Sequence, residues 1–537
     1  MPTSYLSFQQ TNYFSKLICD YLDQKKELQP FYNRFPHLEN FAEQLKEKKR
    51  SFSHENRKVL TKVLADQYKD FQTSDLTSEN ITALADENTF TVVTGHQLNL
   101  FTGPLYFLYK IVSTINLCRA LQKQHPDNRF VPVYWMASED HDFEEINFFN
   151  FNGKKFQWQG PGTKEQGGMV GAYPTEGLDS VLELFSSEIG KGVQAKALVE
   201  LFRNAYMKHK NLTDATRYMV NQLFSNQGLV ILDASDKVLK HHFIPYMRQE
   251  LFEATSQKTV EQTISNLNKV DASYKIQVNP REINLFYLQT GLRERIIKTQ
   301  TGFRVNNTEL GWSDQELEEE LTNYPERFSP NVMTRPLYQE VILPNLCYIG
   351  GGGELAYWLE LKEFFKTQKV TFPMLLLRNS VLIISEKQSK KLQKLNISDA
   401  QLFLDKNSFI NSKIREISNI DIDFSKQKKY LQEQFQDMYK IAEQTDKTFL
   451  GAVKAQEVKQ LQGLDRLEKR LLKAQKNKLS DEVRRLVSLQ NELFPNGNLQ
   501  ERTDNFSNLY VQYGPLFIER LLKELDPLRG AFAVIRM

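Results

Sequence analysis

The chain has 537 residues, too long for one compact core, and the usual ~100–200 residues per domain give about three to five units. Lys plus Arg number 69 against 66 Asp plus Glu, a formal net charge of +3, so no global field points to nucleic acid or an anionic membrane as a partner. An apolar share of 40% with 12% aromatics excludes a largely disordered chain and leaves a folded, soluble protein of several units.

Cys19, Cys118 and Cys347 are odd in number and far apart, so neither a disulfide framework nor a zinc spacing follows. The first residues lack the basic and apolar regions of a secretory signal. No run of roughly 18 apolar residues marks a membrane helix. A reducing cytoplasm is the expected compartment.

Residues 1–90 read as helices, with Phe14, Leu17, Ile18 and Tyr21 spaced for one face. Phe90–Thr94 is then a short β-branched strand, followed by Gly95, His96 and Gln97 as a loop. Thr102-Gly103-Pro104 punctuates a helix start, and the spacing predicts a helix from about Leu105 to Gln122. Phe130–Met136 is a second, nearly all-apolar strand. Strand, loop, helix and strand in this order form a βαβ unit and imply a parallel sheet, hence an α/β core over 91–385. Gly228–Asp233 and Phe372–Leu377 are further buried strands. Segments of about 150–225 and 250–330 read as insertions that mix helices with short strands such as Asn284–Leu288.

Residues 386–495 read as a helical domain. Leu431, Phe435, Met438, Ala442, Thr445, Phe449 and Ala452 step 4, 3, 4, 3, 4, 3, a heptad seam. Two long helices joined near Gly463 or near Asn477–Ser480 would form an antiparallel hairpin, either packing on itself or serving as a dimerisation arm. Phe494-Pro495-Asn496-Gly497 is a turn, after which 496–537 return to the core.

Three constellations can carry chemistry. The first is the loop from Gly95 to Pro104 at the carboxyl end of the first strand, where open α/β sheets bind ligands and helix N-termini attract anions. Gly95, His96, Gln97, Thr102 and Gly103 would line it; a tight structural turn is the other reading. The second is Ser138-Glu139-Asp140-His141-Asp142-Phe143-Glu144-Glu145. Five carboxylates and an imidazole there could serve as general acid or base, hold a hard metal, or simply open a helix. The third is the run Gly350-Gly351-Gly352-Gly353 before Glu354. Four glycines cost backbone entropy, which makes sense where a backbone must approach a ligand, with a hinge as the alternative. Arg335, and Arg378 with Asn379, could clamp a carboxylate or phosphate. Ser385–Lys391 reads as a solvated helix start, with a mobile lysine loop as the alternative.

The strings TGHQLNLFTGPLYFLYK, VPVYWMASEDHDFEEIN and SPNVMTRPLYQEVILPNLCYIGGGGELAYW together resemble the bacillithiol-biosynthesis cysteine-adding family, the assigned cysteine ligase of that pathway. GLVILDASDKVLK, NLFYLQTGLRERI and LFPNGNLQER extend the resemblance over nearly the whole chain. It implies a Rossmann-like core akin to class I synthetases and nucleotidylyltransferases, helical connecting modules, and a C-terminal coiled coil used for homodimerisation. It also implies addition of L-cysteine to glucosaminyl malate, giving bacillithiol. Amide formation from a free carboxylate is uphill in water, so ATP with Mg²⁺ is the expected activator. On this reading Gly95, His96, Gln97, Thr102 and Gly103 hold phosphates, and Gly350, Gly351, Gly352 and Gly353 shape the nucleotide or amino-acid pocket. Glu354 grips an amino or hydroxyl group, and His141 with Asp140 orients or deprotonates the glucosamine amine. Trp135, Ser138, Glu139, Asp142, Arg335, Arg378 and Asn379 contact substrate, Arg335 or Arg378 through the malate carboxylates. No compact zinc ligand set is expected. Two rival readings are a metal-dependent hydrolase built on residues 139–145 and a non-catalytic nucleotide-binding coiled-coil protein.

Overall fold

A computed structural model describes residues 3–161 and 167–537. Five strands form its central sheet: β1 (Thr89–His96), β2 (Arg129–Met136), β3 (Val230–Asp233), β4 (Asn345–Gly350) and β5 (Met374–Leu377). They pair in the order β5-β4-β1-β2-β3, all parallel. Every position of β1 and β4 is buried, as a parallel sheet covered on both faces requires. Alternate side chains feed two cores. Phe90, Val92, Cys347, Ile349, Met374 and Leu376 pack with Phe41, Leu45 and Leu117 on one face, while Val93, Tyr348 and Leu375 join the larger core on the other.

The expected strands are present with shifted ends. β1 runs on through Gly95 and His96, which are therefore its last residues and not a loop. The crossover helix α1 (Tyr106–Gln124) starts only after a turn in which Phe101, Thr102 and Gly103 all have positive φ. The order along the sheet reverses between β1 and β4, and a crevice opens at such a point outside the carboxyl ends of the strands. Helix α2 (Thr334–Ile342) leads into β4, and α3 (Gly352–Leu359) leaves it, so both glycine segments of the sequence flank this one place.

The chain between β2 and β3 adds a hairpin and three longer helices. The chain between β3 and β4 adds helices and a five-stranded antiparallel sheet that includes Leu285–Gln289, Leu292–Thr299 and Phe328–Pro330. A separate sheet places Phe532–Arg536 between Ser4–Leu6, antiparallel, and Val381–Ile384, parallel.

The helical arm consists of α4 (Ser425–Ala442), α5 (Lys447–Lys478) and α6 (Ser480–Leu493). Its hairpin turn lies at residues 443–446, not at either expected place: Gly463 is inside α5, and Leu479 alone separates α5 from α6. Asp446 makes the turn by accepting the amide hydrogens of Thr448 and Phe449, a local N-cap that interrupts the heptad pattern. α4 and α5 pack antiparallel through Phe435, Ala442 and Val453, with Lys428 on Glu468 at 2.9 Å and Tyr439 on Glu457 at 2.6 Å.

Candidate active site

At the β1/β4 crevice one hydrogen-bonded cluster joins three elements. Lys110, in the buried part of α1, donates to the Gly95 carbonyl at 2.7 Å and pairs with Glu354 Oε1 at 2.5 Å. Glu354 is the third residue of α3 and also accepts the Gly351 N–H at 3.3 Å and the Tyr348 hydroxyl at 2.7 Å. Burial would raise the Glu354 carboxyl, but Lys110, Tyr348 and the Gly351 amide outweigh it and hold it below the usual range. Glu354 is thus occupied by the protein's own donors rather than open to a ligand ammonium.

Arg335, in the first turn of α2, reaches the same place. Its guanidinium lies over the rings of Trp135 and Tyr348, 5.5 and 5.6 Å from their centroids. One nitrogen donates to Gln339 at 3.1 Å, while Nη2 is buried without a hydrogen bond. No carboxylate among the described residues pairs with it. A Cβ on Gly95 would stand 3.4 Å from the Tyr348 hydroxyl and 3.7 Å from Arg335 Nη1, so the missing side chain leaves a small space between them.

His96 and Arg378 complete the cluster. The His96 ring packs on Tyr106 and Phe107, and its Nε2 is buried with no hydrogen-bond partner among the described residues. Burial, with the charges of Lys110 and Arg378, holds the imidazole well below its ordinary range, so it is neutral. Arg378 is fixed by Glu501 at 2.8 Å, by the Asn379 carbonyl at 2.9 Å and by Ser380 at 3.1 Å. Only its Nε is unbonded, near Gly351, so the expected substrate clamp is mainly a tie to the C-terminal segment. Asn379 is spent inside the fold on Ser113 and the Asp526 carbonyl.

The glycines divide in the same way. A Cβ on Gly350 would fall within 3.0 Å of Leu355, Tyr348 and Glu354, so that glycine serves packing. Gly351 caps α3, and the first-turn amides of Gly352, Gly353 and Glu354 have no partner among the described residues. These amides fit an anion such as a phosphate. The other expected cradle does not. The Leu105 amide donates to the Asp504 carbonyl at 2.8 Å, and Asn505 donates to the carbonyls of Phe101 and Gly103 at 2.7 and 2.6 Å. Thr102 and Gly103 are therefore buried beneath the returning segment and not available to phosphates.

The acidic run does not converge on one point. Ser138 donates to Asp233, tying the ends of β2 and β3. Glu139 pairs with buried Lys240 at 2.6 Å and accepts from Ser329 at 2.9 Å. Asp140 accepts the His141 N–H at 2.7 Å and the Gln97 amide at 2.8 Å. Despite burial, the His141 side chain, the Gln97 amide, the His141 N–H and Arg293 together hold its carboxyl well below the usual range. Gln97 spans Asp140 and Glu145, and Asp142 caps the short helix Phe143–Ile146. Half-exposed His141, with Asp142, Glu144 and Glu145 exposed beside it, has its Nδ1 2.7 Å from Arg293 Nη1. No group of three His, Cys, Asp or Glu among the described residues is arranged to hold a metal ion. Glu139, Asp140 and Glu145 are each engaged by a side-chain donor, which leaves the hydrolase reading only exposed Asp142 and Glu144 of the run.

Sequence reasoning passed over Lys110, Arg293, Glu501 and Asn505. Lys110 leaves a signal, a cation inside the apolar stretch Phe107–Ile115. The other three act across 100 residues or more, on partners that no local pattern names.

Residues 1–379 match the family model for the N-terminal Rossmann-like domain of bacillithiol biosynthesis BshC, and residues 381–537 that for its C-terminal coiled-coil domain. A protein of Christiangramia forsetii is 59% identical over 535 residues, covering 100% of this chain and 99% of its own. One from Cytophaga hutchinsonii is 39% identical, covering 97% and 96%, and one from Bacillus mycoides 28%, covering 97% and 98%. Each of the three carries the name "Putative cysteine ligase BshC".

Proposed function

The chain belongs to the bacillithiol-biosynthesis BshC family, and on that premise we propose that it joins L-cysteine to the amino group of glucosaminyl malate, giving bacillithiol. ATP with Mg²⁺ supplies the activation that makes a carboxylate oxygen a leaving group. The glucosamine nitrogen then bonds to the cysteine acyl carbon, the activated oxygen departs with its electron pair, and the amine proton passes to solvent.

The observation that carries this reading is Arg335. A cation in a crevice at the strand carboxyl ends, with a buried unbonded nitrogen and no ion-paired carboxylate among the described residues, only Glu354 and two tyrosines nearby, suits an anion from outside. Both organic substrates carry carboxylates, and we assign one malate carboxylate to this guanidinium. Gly95 leaves room for it, and Trp135 and Tyr348 orient the fork. The free first-turn amides at Gly352 and Gly353 take a phosphate. Lys110 and Glu354 hold β1 and α3 at fixed separation around both.

The arm α4–α5 leaves Tyr430, Met438, Ile441, Phe449, Val458 and Leu467 more than a third exposed. On our reading a second copy covers them, making a homodimer of a cytoplasmic enzyme. Among the described residues no helix is long and apolar enough to cross a membrane.

The test mixes the protein with L-cysteine, glucosaminyl malate, ATP and Mg²⁺ and reads products by mass spectrometry. Bacillithiol is expected; AMP beside it would mark an adenylate and ADP an acyl phosphate, and either keeps the ligase. Arg335→Gln should raise KM for glucosaminyl malate about 30- to 100-fold, the range for losing a charge-assisted hydrogen bond. Failure to form bacillithiol overturns the reading.

A further inference from the structure

The imidazole of His141 meets the rest of the protein from three elements. From its own segment, Asp140 Oδ1 lies 3.5 Å from Nδ1, but that oxygen already accepts the backbone amides of His141 at 2.7 Å and Asp142 at 3.3 Å. From the adjacent strand, Phe286 packs on the ring with centroids 5.8 Å apart. From Leu292–Thr299, in the antiparallel sheet inserted between β3 and β4, Arg293 brings Nη1 to 2.7 Å from Nδ1. Gln97, the other neighbour of this segment, is engaged by the Asp140 and Glu145 carboxylates.

A guanidinium has donors only, so Nδ1 in this contact must be the acceptor. The 3.5 Å approach to Asp140 is the longer and weaker of the two contacts at Nδ1, against 2.7 Å for Arg293. A neutral imidazole carries one proton, and with Nδ1 accepting it sits on Nε2. Arg293 is itself held firmly. Its guanidinium carbon stacks 3.9 Å from the Phe286 centroid and its side chain is buried; burial pulls the guanidinium below its ordinary range, against the carboxylates of Asp140 and Glu139, which favour its charge.

We propose that Arg293 is a positioning residue, which acts through His141 by fixing it as a neutral Nε2–H donor. So held, His141 gives a hydrogen bond to an acceptor oxygen of a bound substrate and does not take up the amine proton. This revises the base role expected from the sequence, because the nitrogen that would accept is occupied and the exposed one already carries a proton. The inserted sheet thereby gains a chemical task, since it delivers the group that sets the tautomer of a residue on the Rossmann-like core. The use of this donor in the reaction rests on the ligase reading; the tautomer does not.

Protein carrying ¹⁵N-labelled histidine, in long-range ¹H–¹⁵N correlation spectra at pH 8, reads the tautomer directly, with the His141 signals assigned by their loss in His141→Gln. Wild type should show the Nε2–H form. Arg293→Gln should move His141 toward the Nδ1–H form and lower kcat about tenfold or more, within the range for a misplaced catalytic hydrogen-bonding group. Arg293→Lys, which restores a donor, should return the Nε2–H form and part of kcat. An Nδ1–H signal in wild type overturns the proposal by itself, even if Arg293→Gln does not fold. An unchanged tautomer in folded Arg293→Gln also overturns it. A tautomer that shifts with kcat unaltered removes the catalytic use. Correct tautomers in a protein that makes no bacillithiol defeat the ligase reading alone.

Discussion

The ammonium of Lys110 lies 2.5 Å from Glu354 and 2.7 Å from the carbonyl oxygen of Gly95, so one side chain of α1 ties the end of β1 to the start of α3. Removing it leaves a carboxylate without its counter-charge. Lys110→Met should cost about 3 kcal/mol at pH 7, as broken buried pairs do. Glu354 sits below its unfolded value in the folded protein, so its contribution is present above that value and disappears as pH falls through the folded one. Urea titrations of wild type and variant should therefore differ at pH 7 and converge only as the pH falls below the ordinary carboxylate range. An equal gap at both would show that the loss is packing and not charge.

Gly95→Ala tests the space beside Arg335. The added methyl would meet the Tyr348 hydroxyl at 3.4 Å and Trp135 at 3.9 Å, ordinary contact distances, so the fold should tolerate it. A ligand carboxylate would not. Thermal unfolding should move by only a few degrees, whereas KM for glucosaminyl malate should rise about tenfold, the equivalent of about 1.4 kcal/mol. An unchanged KM would take the carboxylate away from this position.

Asp504 offers a pH test of the closure over the first crossover. Burial raises its carboxyl to about 6. A group whose folded value exceeds its unfolded one binds extra protons in the folded state, so stability falls as pH rises from about 4 to about 6. Asp504→Asn removes that penalty. The variant should match wild type near pH 4 and exceed it by about 1–3 kcal/mol at pH 8 in denaturant titrations. A gap that does not grow with pH would mean the carboxylate is well solvated.

Lys48→Met separates stability from chemistry. Lys48 and Glu340 are both buried and 2.8 Å apart, and Asn345 and Gln339 also donate to Glu340 beneath β4. The variant should lose about 3–5 kcal/mol by calorimetry or chemical denaturation. The substrate KM values should stay within about twofold where the protein is still folded, because Lys48 reaches Arg335 only indirectly, through Glu340 and Gln339. A selective change in KM would place Lys48 in communication with the site.

Much of the core was legible in the sequence because its signals are local. The βαβ pattern, the glycine run and the first-turn Glu354 all lie within a few residues of the features they dictate. The resemblance supplied the Rossmann-like assignment and the coiled-coil arm. What was not legible depends on distant chain. Nothing near Thr102 and Gly103 says that Asn505 will occupy their carbonyls, and nothing near Arg378 names Glu501. The heptad count continued across Thr445 because an Asp446 cap and an ongoing apolar rhythm look alike until one sees the chain reverse. His141 among carboxylates looked like a base, and only Arg293, 152 positions on, shows which nitrogen is taken.

The three-stranded sheet built from Ser4–Leu6, Phe532–Arg536 and Val381–Ile384 bears on how the molecule is made. Its middle strand is synthesised more than 500 residues after the strand it pairs with first. Asn505 likewise seals the β1–α1 turn only after the whole Rossmann-like core has left the ribosome. A nascent chain therefore carries an open first crossover until Asn505 follows, and an unpaired Ser4–Leu6 strand until Phe532–Arg536 follow. Folding of this protein is in that sense deferred: Ser4–Leu6 waits for Phe532–Arg536, and Arg378 at the crevice waits for Glu501.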